Sequence, residues 1–191
     1  MVTLAELGPA LYGAWRLAHF DAGGMRYFDR SVHGFWRSFW APVLQAPGVA
    51  LLTAVHFADM HVGGGWLGAV LAEAISYVIG VVAFPLAAFY LTRFIDREPE
   101  YLGFIVAYNW MGLLQLGVVL PAVLIGASGI LPSDGGSLLV WTAQIAVLVY
   151  EWFVVRTALR LPGFGAAGIV VIDLLLSLFI QQLGDVIATA G

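Results

Sequence analysis

Glu73, Asn109, Gln144, Glu151, Asp173 and Gln181 interrupt stretches that are otherwise apolar. Asp173 is the sharpest case, the one charge in GIVVIDLLLSL at residues 168–178. In hydrocarbon such groups can relay a proton, hold a passing solute or ion, or hydrogen-bond a neighbouring helix. An acid at a helix centre costs about 2.5–3.5 kcal/mol to insert, so it turns toward the bundle interior. Helix pairing by a protonated carboxyl is the first expectation for Asp173; a proton or substrate pathway is the sharper alternative. Glu151 can also reach Arg156 or water. At 1.5 Å per residue, Asn109 and Asp173 lie roughly 12 and 13 Å into their stretches, with Glu151 on the same side. Glu73, Gln144 and Gln181 or Gln182 lie roughly 10 Å from the opposite face. Two polar layers are therefore expected, one in each leaflet.

Other chemistries find little support. The chain has no cysteine, which excludes disulfides, thiolate metal sites and cysteine nucleophiles. HFADMH brings His56, Asp59 and His61 together, but the spacing matches no strong metal motif. His19 and His33 fall outside the apolar stretches, so no histidine pair is placed to hold a haem. Asp29, Ser31 and His33 are neighbours in the chain, which is not triad geometry. No phosphate-binding glycine motif follows a strand. The expectation is no enzyme, no metal and no bound cofactor.

These residues must be positioned by lipid-embedded helices. The 191 residues are 61% hydrophobic and only 10% charged, against about 25% in soluble domains. Apolar stretches near Trp40–Phe57, Trp66–Leu91, Tyr101–Ile125, Ser137–Val155 and Phe164–Ala188 approach or exceed the roughly 20 residues that cross a bilayer. The first is short and carries Pro42 and Pro47, so it can be read as a span or a bent hairpin. Pro85 and Pro121 suggest kinks or helix ends, and Gly112, Gly117 and the run from Gly163 to Gly168 suggest close helix packing. The expected fold is all-α, a polytopic bundle of about five transmembrane helices over residues 40–191.

The basic residues orient it. All eight are arginines: Arg16, Arg26, Arg30 and Arg37 precede the first stretch, Arg93 and Arg97 follow the second, and Arg156 and Arg160 follow the fourth. Basic residues accumulate in cytoplasmic loops. This implies an N-terminus inside and a C-terminus outside, and the membrane expected is a bacterial inner membrane. The start, MVTLAELGPALYG, lacks a basic signal-peptide region, so no cleavage is expected.

Residues 1–39 mix arginines with aromatics, as in MRYFDRSVHGFWRSFW. Leu4, Leu7, Leu11, Trp15 and Ala18 fall at helical spacing. The segment reads as an interfacial amphipathic collar, with Trp15, Arg26, Arg30, Phe35, Trp36, Arg37 and Trp40 available to lipid or a protein partner.

FDRSVHGFWRSFWAPVLQAP, YNWMGLLQLGVVLPAVLI and WFVVRTALRLPGFGAAGIVVIDLLLSL together give a basic, aromatic lead-in, five spans and a tight small-residue turn. In this the chain resembles the bacterial branch of the Yip1-like membrane proteins. The resemblance implies an organising or adaptor role with no catalytic residues. The leading expectation is a non-catalytic accessory, scaffold or assembly protein. Alternatives are a small transporter or channel-like protein using Asp173, Asn109 and Glu73, or a subunit contacting a cofactor or pigment in a respiratory or photosynthetic complex. Expected partners are the lipid bilayer and a protein partner or second copy within the membrane, with no nucleic acid.

Overall fold

A computed structural model describes residues 4–58 and 65–190. The helices are α1 (Leu4–Ala18), α2 (Val32–Ser38), α3 (Trp40–His56), α4 (Gly65–Phe94), α5 (Tyr101–Ala127), α6 (Ser133–Ala158) and α7 (Gly163–Ala190). Short 3₁₀ turns at Ala22–Tyr27 and Glu98–Glu100 lead into α2 and α5. No strand occurs among the described residues. The protein is an all-α bundle in which five stretches are long and apolar enough to cross a membrane. The first is Val32–His56, in which α2 runs on into α3. It is not a hairpin: its far end reaches α7, where His56 Nε2 lies 3.3 Å from Asp185 Oδ1. Pro85 and Pro121 do not end their helices, which continue to Phe94 and Ala127.

α5 is the centre. It packs against α6, α3, α2 and α1, and more lightly against α4. Being surrounded, its first half is buried on every side, including the unbroken run Gly103–Ala107. α7 packs on α4 along one flank and on α6 along another. Glycines allow two close contacts, one with a neighbouring helix's backbone and one with the Gln45 side chain. A Cβ on Gly136 of α6 would lie 3.0 Å from the Gly126 carbonyl oxygen of α5, and one on Gly112 would lie 2.8 Å from Gln45 of α3. The other expected packing glycines behave differently: Gly117 and Gly168 have no neighbouring atoms within 4 Å of such a Cβ.

The N-terminal segment is joined to the bundle's core. Ala10, Ala14, Leu17, Met25 and Phe28 belong to one apolar cluster with Phe104, Val106, Val154 and Leu159. The boundary expected at residue 39 therefore separates no second core. α1 turns its small face inward and leaves Leu11 and Trp15 outside. Tyr150 Oη of α6 donates to the Ala14 carbonyl at 2.8 Å, so α1 lies beside the bundle, not only beneath it. The chain then folds back along α1, with Tyr12 and Tyr27 in edge-to-face contact at 4.9 Å. The Arg16 guanidinium pairs with Asp21. That bond, followed by one from the Gly23 N–H, holds the Asp21 carboxyl below its usual range. Ser31 caps α2 by accepting the Gly34 N–H at 3.1 Å, and Asp29 accepts the Ser31 N–H at 3.0 Å. This local capping occupies the Asp29–Ser31 pair.

α1, α4 and α6 end alike at the arginine-bearing end. Phe20, Asp96 and Arg160 adopt left-handed φ values of 58°, 56° and 53°. The next residue's N–H reaches back five positions in each case: Asp21 to Arg16, Arg97 to Thr92 and Leu161 to Arg156. This closure normally uses glycine, because a Cβ costs about 1–2 kcal/mol in the left-handed region. Asp96→Gly should therefore stabilise the protein by about 1 kcal/mol, read as a higher midpoint of thermal unfolding in detergent. An unchanged or lower midpoint would show that the turn carries no such strain.

Candidate functional site

Asp173 and Glu151 come together. They project from α7 and α6 and are 6% and 5% exposed. Their carboxyl groups lie side by side, close enough to share a hydrogen bond once one of them carries a proton. Tyr108 Oη of α5 donates to Asp173 Oδ2 at 2.9 Å. Among the described residues, Glu151 Oε1 and Asp173 Oδ1 are buried and receive no donor if both groups are taken as carboxylates. One proton shared between the carboxyls supplies the missing donor, and two adjacent buried carboxylates cannot readily both ionise. The expected reach of Glu151 to Arg156 is not what the structure uses. Arg156 lies instead over the Trp152 ring, 5.4 Å from its centroid.

Asn109 belongs elsewhere. It is buried, and its Nδ2 donates to Ser38 Oγ at 2.8 Å, tying α5 to the end of α2. Gln45 Nε2 of α3 donates to the Asn109 backbone carbonyl at 3.4 Å. Counting residues along a helix gives height but not direction. Tyr108 and Asn109 are consecutive, so they point about 100° apart, and only Tyr108 reaches the acid pair.

Next to these groups, α3, α4, α5 and α7 line a cavity of about 290 Å³ that is open on one side, where Ser177 and Gln181 of α7 are exposed. This is near the lower end of the roughly 300–1,000 Å³ of small-molecule sites. Its lining mixes apolar surface with an unusual number of polar side chains for an apolar bundle. α3 contributes Gln45; α4 contributes Glu73, Ser76 and Tyr77; α5 contributes Tyr108, Asn109 and Gln115; α7 contributes Ser177 and Gln181. Tyr77 Oη donates to the Pro42 carbonyl at 2.7 Å, which ties α4 to α3 across one edge. Phe84 meets the Tyr108 ring in a tilted contact at 4.5 Å and Phe104 edge-to-face at 6.0 Å, on the arginine-bearing side of Tyr108.

The expectation of two layers, one per leaflet, is therefore corrected. Glu73 and Gln181 share one cavity with Asn109 and Tyr108, while Glu151 and Asp173 form a pair beyond the tyrosine. Gln144 of α6 and Gln182 of α7 do not line the cavity. Tyr108, Tyr77, Gln45, Ser177 and Ser38 were not singled out from the sequence. A signal for one of them was present: Asp173, Ser177, Gln181 and Asp185 recur every four residues and so share one face of α7.

The collar residues are spread over the arginine-bearing end. Trp15, Trp36 and Trp40 are exposed, and Trp15 lies 4.2 Å from the His19 ring. Phe35 packs on Phe39 and Tyr101. Arg30 donates to the Met25 carbonyl at 2.9 Å while its stem covers Gly103. Arg26 makes a long 3.4 Å bond to the Gly23 carbonyl. Arg37 borders a smaller pocket with Ser38 and Trp110. Of the histidine cluster, Asp59 and His61 lie outside the described residues, and His56 pairs with Asp185.

Comparison with known proteins finds no matching family model, no matching curated protein and no matching solved structure.

Proposed function

We propose that this chain is a small membrane carrier that takes a small hydrogen-bonding solute into the cavity between α3, α4, α5 and α7. The observation that carries this reading is the unfilled polar lining. Residues whose only task is to bind helices together pair with one another, as Asn109 does with Ser38. Glu73, Gln115, Ser177 and Gln181 border open space and make no side-chain hydrogen bond among the described residues. Polar groups placed in hydrocarbon without partners are costly, so a lining of this kind is maintained for what enters it. Among the described residues, no arginine or histidine lines the cavity and Glu73 is its one acid. This favours a neutral or cationic solute over an anion.

The same reading takes the arginine-bearing end to face the cytoplasm of a bacterial inner membrane, with the C-terminus outside. An alkaline phosphatase fused at the C-terminus should then be active in intact cells, whereas an inactive fusion would reverse the orientation.

A second reading, the organising role implied by the Yip1-like resemblance, is favoured by the exposed Trp15, Trp36 and Trp40 beside the arginines. A thermal-shift panel of neutral polyols and amides, small amines and organic anions separates the two. Under the carrier reading a neutral or cationic member raises the unfolding midpoint. At 100 times its Kd such a solute contributes about 2.7 kcal/mol. Ser177→Leu, which fills the cavity, should remove the shift. No shift with any compound, together with a stoichiometric protein partner after mild purification, would overturn the carrier reading in favour of the organising one.

A further inference from the structure

The Glu151–Asp173 pair is hydrogen-bonded to a wall of the cavity yet lies outside it. Tyr108 has two neighbours of different kinds: its side chain borders the cavity, and its hydroxyl donates to Asp173 Oδ2. Two of the pair's other oxygens, Glu151 Oε1 and Asp173 Oδ1, are buried and meet no donor among the described residues. We propose that this pair is a proton-binding site loaded and unloaded from the cavity through Tyr108. Taken with the carrier reading, on which this consequence rests, it makes solute movement proton-linked.

The surroundings suit that role. From α5 the pair is faced by Tyr108, and no arginine or histidine stands against it from α5, α6 or α7. α4 offers the Phe84 ring beside Tyr108, and its one acid, Glu73, borders the cavity instead. α1 reaches α6 next door through the Ala14 carbonyl, which Tyr150 occupies. The charge of the pair is therefore compensated by a proton and not by a fixed cation. On the arginine-bearing side, Phe84, Phe104, Val154, Val155 and Leu159 are almost wholly buried and close the direct way out. The transfer balances simply. A hydronium in the cavity gives a proton to the phenol oxygen of Tyr108 as the phenol passes its own proton to the Asp173 carboxylate. One O–H bond of hydronium breaks, one O–H bond forms on Asp173, and the phenol is regenerated. Unloading runs the same steps backward.

The test uses the full chain in lipid nanodiscs and deuterons as the probe. Infrared spectroscopy should show a protonated-carboxyl carbonyl band that is altered by Asp173→Asn and by Glu151→Gln. On transfer to D₂O the wild-type band should shift promptly. Tyr108→Phe should keep the band and slow its shift at least tenfold. Should that variant not fold, Ser177→Leu narrows the cavity on the same route and should slow the shift as well. A wild-type band that is absent, that never shifts, or that shifts as fast in both variants would overturn the proposal. A band that exchanges through Tyr108 while no solute binds leaves the proton site standing and removes the carrier reading. Solute binding with a static band does the reverse.

Discussion

A carboxyl group held in hydrocarbon must find a donor, and Asp173 can be satisfied only by two neighbouring helices at once. Tyr108 reaches it from α5 and Glu151 from α6. That requirement sets the rotation of α5, α6 and α7 about their own axes. Once Tyr108 points at Asp173, the next residue, Asn109, is directed away from it and toward Ser38 and α3. The same rotation directs Gly112 and Gln115 into the space that becomes the cavity. Because there is little hydrophobic drive between helices in lipid, contacts of this kind and close packing decide which faces meet.

Tyrosine hydroxyls repeat the device elsewhere. Tyr77 is fixed to the Pro42 carbonyl, Tyr101 to the Pro85 carbonyl and Tyr150 to the Ala14 carbonyl. Each couples two helices through an acceptor that is a backbone carbonyl. The bundle is thereby held around its polar interior without filling it. The N-terminal segment adds a brace at the arginine-bearing end. Ala10, Ala14 and Leu17 seat α1 on α5 and α6 while its bulky residues face outward.

The fold was largely legible in the sequence, because the length of an apolar stretch reports directly on whether a helix can cross a bilayer. The five long apolar stretches appear where hydropathy placed them, extended by a turn or so at most ends. The site was legible by residue type and only partly by partner. Asp173 was expected to turn inward and is buried, Glu151 was expected to reach Arg156 or water and instead faces Asp173, and Asn109 was grouped with them on depth alone. Gln144 sits at a height like that of Glu73 yet lies on an exposed face. What the sequence did not disclose was azimuth, which depends on how α6 and α7 turn against α5. It also understated tyrosine, which reads as an aromatic span residue until its hydroxyl is seen against a particular acceptor.

The central claim is that a polar cavity lies inside this bundle, reachable by water although the chain around it faces lipid. The absence of cysteine allows a direct measurement by single substitutions. Ser177 and Leu178, neighbours on α7, are both exposed, but Ser177 borders the cavity and Leu178 does not. Ser177→Cys should react with a small water-soluble, membrane-impermeant thiol reagent in intact vesicles, and Leu178→Cys should not. Equal reactivity at the two positions, or none at Ser177→Cys in a folded protein, would contradict the account.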